Sequence, residues 1–111
     1  MPAMKNFADI LATLESADYL EHIELLDKAG NPIARIENKP GSQGSLKVYH
    51  HLWKKHGGIT PAAAQEGLEL YAEHTADARA NPGKHPHIDR LFGIIDNNAG
   101  LTALCQQKHQ L

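Results

Sequence analysis

The sequence of 111 residues contains a single cysteine, Cys105, which excludes an intramolecular disulfide. A chain without disulfides suits a reducing compartment, so we expect a cytoplasmic protein. No apolar run approaches the length of a membrane span. The first fifteen residues carry Asp9 and Glu15, and they lack the continuous apolar stretch of a signal peptide. We therefore expect neither a membrane segment nor a secretory leader.

The sequence also lacks a strong excess of either charge. It has 11 basic and 13 acidic residues, a formal charge of −2 and a pI near 6.4. No global field therefore draws the chain toward nucleic acid or an anionic bilayer. Apolar residues make up 41% and charged residues 22%, which is ordinary globular usage. At this length we expect one hydrophobic core and a single domain over residues 1–111.

The first half of the chain predicts a helix followed by a β-hairpin. Phe7, Ile10, Leu11 and Leu14 recur at helical spacing, and Asn6 stands where an N-cap is needed. Two β-rich runs follow, roughly Leu20 to Asp27 and Ile33 to Asn38. The turn between them contains glycine and asparagine, which tolerate positive φ.

The second half predicts three helices and a last strand. After the Gly-rich stretch "KPGSQGS", Ser45 is a candidate N-cap for a helix that reaches about residue 56. Thr60 and Pro61 favour the start of a third helix, which runs to about residue 80. A fourth helix covers about residues 86–96, and the alternating tail "LTALCQQKH" favours a strand.

The predicted order is therefore α-β-β-α-α-α-β. A hairpin and one further strand form a small three-stranded, mostly antiparallel sheet, which needs helices on one face to bury enough apolar surface. We expect an α+β fold.

Histidine is the one compositional anomaly, with eight residues, and the stretch "GKHPHIDRL" is where two of them cluster. Pro86 predicts a helix start, which places Lys84, His85 and His87 at a helix N-terminus. Positive potential at such a terminus favours an anion, and Arg90 follows one turn later. This predicts a site for a phosphate or carboxylate.

A metal site is the alternative interpretation of the same stretch. A His-x-His pair supplies at most two of the three or four ligands that zinc or another divalent transition metal needs. His74 and Asp89 are the candidates for the remaining ligands, together with His50 or His51, although no known ligand spacing occurs. Surface histidines at a helix start explain the pattern without a metal, so we expect no cofactor.

The Gly-rich stretch is a second candidate anion site. Gly41, Gly44 and Ser45 lie between a predicted strand and a predicted helix, with Lys39 and Lys47 on either side. The spacing does not match a P-loop, because Gly41 and Gly44 are only three residues apart. A turn followed by an N-cap also explains these residues.

Two charged helix faces are weaker candidates. A basic face on the predicted second helix could follow a phosphate backbone; its members are Lys47, His51, Lys54 and Lys55. An acidic stripe lies on the predicted third helix; its members are Glu66, Glu69, Glu73 and Asp77. No exposed aromatic is interleaved with the basic residues, so we do not expect a nucleic-acid partner. Both faces are more simply solvated surfaces, or patches that dock on each other or between subunits.

The sequence gives little support to catalysis. Cys105 lies in a predicted strand rather than at the helix N-terminus that activates a thiol. Neither a Gly-x-Ser-x-Gly elbow nor a Gly-x-Gly-x-x-Gly fingerprint occurs. We therefore assign no catalytic residues.

Two long stretches, "ARIENKPGSQGSLKVYHHL" and "GLELYAEHTADARANPGKHPHIDRL", resemble the signature stretches of a family of small bacterial proteins of unknown function. The resemblance covers most of the chain, from the hairpin to the fourth helix. It implies a small bacterial cytoplasmic domain, and it carries over no substrate, catalytic residue or cofactor.

The leading functional expectation is a non-catalytic domain that acts through protein contacts, including a homodimer formed by an uncovered sheet face or edge. The alternative is a small-anion or metal-binding protein, or an enzyme, built around the His-Pro-His helix start. A nucleic-acid module that uses the basic face is third.

Overall fold

The three strands form one antiparallel sheet in the order β2-β1-β3. A computed structural model describes residues 6–108. Its elements are α1 (Phe7–Thr13), β1 (Leu20–Leu26), β2 (Pro32–Glu37), α2 (Gln43–His56), α3 (Pro61–Leu70), α4 (Glu73–Ala80), α5 (Pro86–Asn97) and β3 (Thr102–Gln107). The predicted α+β fold, the hairpin and the terminal strand are confirmed.

The sheet buries one face. In the centre of the register, Ile23 of β1 lies opposite Ile36 of β2 and Cys105 of β3. Ile23 and Ile36 are fully buried, as is Leu25, which follows Ile23 on the same face. The alternation of apolar and polar residues that predicted the strands therefore sets which face meets the helices.

The helices stack on that buried face. α2 contacts β1 and β2 on one side and α3 on the other, and α3 in turn packs on α5. α2 is the longest helix at 14 residues, and no helix within residues 6–108 is long and apolar enough to cross a membrane. One continuous hydrophobic cluster joins the sheet to these three helices.

α2 begins three residues before the predicted position. Ser42 rather than Ser45 occupies the N-cap, and its carbonyl accepts the first helical bond from Leu46 N. The Ser42 Oγ does not cap the helix, because it donates to the Glu37 carbonyl at 2.5 Å and ties the loop to the end of β2. The predicted N-cap was wrong, and Ser45 lies inside the first helical turn.

The predicted third helix is two helices. Ala72 has a φ of 53°, which interrupts the helix between α3 and α4. The buried Thr75 Oγ1 donates to the Leu68 carbonyl at 2.6 Å and thus satisfies an acceptor at the end of α3. No glycine or proline marks the break, and the apolar spacing continues across it, so the sequence pattern predicted one helix. The acidic stripe is consequently not continuous.

Gly67 lies where α2, α3 and α5 meet, so a substitution at this position tests the packing of the three helices. A Cβ at this position would lie 2.7 Å from Leu91 Cδ1 and 3.0 Å from Leu52 Cδ1, and both leucines are fully buried. We expect Gly67→Ala to lower the free energy of unfolding by about 1–3 kcal/mol, as overpacked cores do. Urea unfolding measures this change.

Gly93 of α5 is the matched control, because a Cβ there would meet no atom within 4 Å. Gly93→Ala should raise the free energy of unfolding by about 0.5–1 kcal/mol, the usual gain for alanine over glycine inside a helix. Equal stabilisation by both substitutions would contradict the packing described here.

Candidate anion-binding cavity

The two predicted anion-binding stretches line the same cavity, which has a volume of about 410 Å³. One wall is the loop before α2 together with the first turn of that helix. The opposite wall is the segment that leads into α5, and α1 and the α3–α4 junction complete the cavity. The lining residues are Phe7, Gly41, Gln43, Gly44, Ser45, Tyr71, His74, Lys84, His85, Pro86, His87 and Ile88.

The α2 wall presents hydrogen-bond donors. The N–H groups of Gly44 and Ser45 belong to the first helical turn and have no acceptor among residues 6–108. The Ser45 Oγ accepts a hydrogen bond from the Tyr71 hydroxyl at 2.7 Å, so its own hydrogen remains available to donate. Tyr71 is nearly fully buried, and burial raises its pKa, so it stays protonated as the donor.

The α5 wall is fixed by Tyr49 and Arg90. The Tyr49 hydroxyl donates to the His87 carbonyl at 2.6 Å, and the Arg90 guanidinium donates to His87 Nδ1 at 3.0 Å. Because Nδ1 accepts this bond, the proton of neutral His87 lies on Nε2, which has no partner within the described chain. Burial, and then the charge of Arg90, lowers the pKa of His87. The neutral imidazole therefore offers an N–H donor.

An aspartate outside the cavity lining organises Lys84 and His85. Asp77 of α4 accepts from His85 Nε2 at 2.6 Å and from Lys84 Nζ at 2.9 Å. These two contacts, led by the bond from His85, hold the pKa of Asp77 at about 2. The Asn81 side chain donates to the second carboxylate oxygen at 3.0 Å. Asp77 thus fixes both residues at the edge of the cavity.

Two residues predicted for this site lie elsewhere. Arg90 does not line the cavity, because its guanidinium contacts His87 and the Tyr49 hydroxyl behind the cavity wall. Asp89 accepts from the Gly83 backbone N–H at 2.9 Å and borders a different cavity, beside Arg79 and Phe92. Neither Arg90, predicted as an anion ligand, nor Asp89, predicted as a metal ligand, lines this cavity, because a residue at this helix start can point toward either side of α5. Their roles as ligands stay predictions.

Within residues 6–108, no three His, Cys, Asp or Glu side chains are placed together to hold a metal ion. His74 and His85 are neighbours, with ring centroids 5.6 Å apart. The Nε2 of His85 and the Nδ1 of His87 are already bonded to Asp77 and Arg90. His109 lies outside the described residues.

His50, another candidate ligand, is a core residue. Its ring is fully buried, its Nε2 lies 2.7 Å from the Tyr19 hydroxyl, and its Nδ1 has no hydrogen-bond partner in the described chain. Burial lowers the pKa of His50, which keeps the ring neutral. It does not line the cavity. The sequence did not distinguish His50 from the adjacent His51 as a candidate ligand. The two side chains point in different directions because they are one residue apart on α2.

An aromatic wall, made of Tyr71, Phe7, His74 and His85, was not predicted. Phe7 stacks on Tyr71 with ring centroids 5.2 Å apart, and His74 meets Phe7 edge-on at 5.0 Å. The Phe7 N–H donates to the Glu73 carboxylate at 2.7 Å, which fixes the start of α1 beside α4. Residues 7 and 73 are far apart in the sequence, so no local pattern could have shown this contact.

The predicted basic and acidic faces partly dock on each other. Glu66 contacts His51 Nε2 at 2.7 Å, His56 Nε2 at 2.9 Å and Lys55 Nζ at 3.0 Å. Lys54 contacts Glu15 at 2.7 Å. Three of the four members of the basic face therefore have a carboxylate partner in the same chain.

Glu66 provides a test of this docking. Burial alone would raise its pKa, but the bonds from His51, His56 and Lys55 outweigh burial and hold the pKa at about 2, below the ordinary 4.5. A carboxylate with a lowered pKa stabilises the fold above its unfolded pKa and loses that contribution as the pH falls toward its folded pKa. Glu66→Gln should therefore cost about 1–2 kcal/mol at pH 7.

The difference between wild type and Glu66→Gln should shrink below pH 4.5 and vanish near pH 2, as measured by urea unfolding at several pH values. Glu69→Gln is the control, because Glu69 is exposed on the same helix. A pH-independent difference would show that the ion contacts do not stabilise the fold.

Comparison with known proteins identifies a family. A family model described as an uncharacterised protein conserved in bacteria, DUF2322, matches residues 7–105. That range includes every residue of the cavity lining. No curated protein and no solved structure matches the chain significantly. The match covers most of the sequence, so the chain belongs to the DUF2322 family of uncharacterised bacterial proteins.

Proposed function

We propose that this protein binds a small ligand through a phosphate or carboxylate group in the cavity between α2 and α5. The supporting observation is that residues from two stretches distant in sequence, 41–45 and 84–87, line one cavity. No carboxylate occurs among the described lining residues. A concave site that combines donors with a cation favours an anion over a neutral or cationic ligand.

The donors differ in kind, which suits a multidentate anion. Gly44 and Ser45 contribute backbone N–H groups, Ser45 adds a hydroxyl, and His87 adds an Nε2–H donor. Lys84 contributes the positive charge. Phosphate and carboxylate oxygens each accept more than one hydrogen bond, and bonds to a charged acceptor are about twice as strong as neutral ones.

Asp77 tunes the affinity of this site. Its carboxylate already binds Lys84 and His85, so a ligand anion shares those donors with Asp77 and is repelled by its charge. The site therefore favours an anion that makes further contacts with the cavity over one that binds through its charge alone.

The proposal involves neither a metal nor catalysis. Zinc ligation by His87 would break its bond from Arg90, because Nδ1 accepts that bond and the proton of the neutral ring lies on Nε2. The single thiol suits a bacterial cytoplasm. Cys105 is half-buried in β3, and burial raises its pKa to about 11, which disfavours a nucleophilic role.

Phosphate titration of the amide NMR spectrum tests the proposal. Wild-type protein should show saturable shifts at Gly44, Ser45 and His87. Lys84→Met should weaken binding about tenfold or more, because it removes a charge-assisted contact, whereas Asp77→Asn should tighten it severalfold. Lys28→Met is the matched control, since Lys28 lies exposed in the hairpin turn and outside the cavity lining.

Two results would contradict the proposed function. One is the absence of shifts at the α2 and α5 walls at millimolar phosphate. The other is equal weakening by Lys84→Met and Lys28→Met, because that would show a nonspecific charge effect.

Self-association through the sheet is a second candidate function. The face of the sheet opposite the helices exposes Leu104, which is 53% accessible and lies beside Glu24 of β1. Both β2 and β3 are edge strands within the described residues. Open edges and an exposed leucine support pairing with a second copy of the chain.

Analytical ultracentrifugation at tens of micromolar checks this second function. We expect a dimer for the wild type and a monomer for Leu104→Lys, because pairing would have to desolvate the added charge. Ala62→Lys adds the same charge at an exposed position of α3 and should remain dimeric. A monomeric wild type would rule out self-association at this concentration.

A further inference from the structure

The cavity is larger than an inorganic anion requires, and part of its lining is aromatic. We propose that its ligand is a ring-bearing organic anion, whose phosphate or carboxylate lies on the α2 and α5 donors and whose ring packs against the aromatic wall. This inference rests on the proposed function and specifies the ligand of the same site.

Size is the first observation. The volume of about 410 Å³ falls within the roughly 300–1,000 Å³ of sites that hold organic ligands. One water molecule occupies about 30 Å³ in the liquid, and a phosphate group displaces only a few such volumes. Most of the cavity would remain filled with water if an inorganic ion bound there.

The composition of the wall is the second observation. Tyr71, Phe7, His74 and His85 lie in consecutive contact, with ring centroids between 5.0 and 5.6 Å apart. Tyr71 is buried behind Phe7, whereas Phe7, His74 and His85 remain partly accessible. Pro86 adds a further exposed apolar ring to the lining. Flat aromatic surfaces of this kind favour contact with a planar ring.

The aromatic and donor surfaces adjoin each other at Gly44. A Cβ at this glycine would lie 3.3 Å from Phe7 Cε2, so the Phe7 ring packs against the first turn of α2. A ligand whose anionic group reaches the Gly44 and Ser45 N–H groups therefore has its neighbouring atoms beside Phe7. A compact ring attached directly to the anion fits this arrangement better than a long flexible chain.

Binding of three probes tests the inference. The probes are inorganic phosphate, phenyl phosphate and neutral benzyl alcohol, each titrated into the full chain by calorimetry or NMR. Wild-type protein should bind phenyl phosphate about five- to tenfold more tightly than inorganic phosphate, as expected for one added aromatic contact. Benzyl alcohol, which lacks the anion, should bind more weakly than phenyl phosphate.

Phe7→Leu should remove this preference while inorganic phosphate still binds, because leucine keeps an apolar side chain at the start of α1 but presents no ring. Phe92→Leu is the matched control: Phe92 is also partly buried but borders a different cavity. The control should retain the preference. Circular dichroism verifies that both variants keep the helical content of the wild type.

The possible failures are distinguishable. Equal affinities for inorganic and phenyl phosphate would overturn the inference and leave the proposed anion-binding function intact. A preference that survives in Phe7→Leu would also overturn the inference. If neither anion binds, the proposed function fails and the inference fails with it.

Discussion

Two buried tyrosine hydroxyls hold the walls of the cavity in place. Tyr49 of α2 donates to the carbonyl of His87 at the start of α5, and Tyr71 at the end of α3 donates to Ser45 in the first turn of α2. Burial raises the pKa of Tyr49 to about 12, so both hydroxyls stay protonated. A buried hydroxyl without a partner costs about 1–3 kcal/mol, so these bonds constrain the relative positions of three helices.

Core packing thus sets the positions of the cavity walls. The Tyr49 and Tyr71 rings belong to the same hydrophobic cluster that joins the sheet to the helices. Each ring carries its hydroxyl to a helix start at the surface, where backbone N–H groups are left without partners. Because the chain is slightly acidic overall, the donors of the cavity form a local feature that long-range attraction does not reinforce.

The elements that depend on local patterns could be predicted from the sequence. Asn6 and Thr60 cap α1 and α3 as expected, and the hairpin turns at Gly30, whose φ is 86°. The break at Ala72 could not be predicted, because it depends on a bond from Thr75 to Leu68 that only the folded chain makes. The early start of α2 depends likewise on the attachment of Ser42 to the end of β2.

The site was predictable only in its parts. The sequence predicted two separate anion sites. One was the loop before a helix, with Gly41, Gly44 and Ser45, and the other was the helix start with Lys84, His85 and His87. The structure places both stretches at one cavity. Their convergence depends on how α5 packs on α3 and α2, which is a long-range property. The sequence could not predict the burial of His50 or the ion contacts of Glu66 either, because each depends on partners in other elements.

α1 forms part of the cavity but buries no residue completely. Its start is attached by the Phe7 N–H bond to Glu73 and by the stacking of Phe7 on Tyr71. A segment with so little buried surface opens at a lower free-energy cost than the whole domain unfolds. A molecule bound against Phe7 would therefore by mass action oppose the detachment of this short helix.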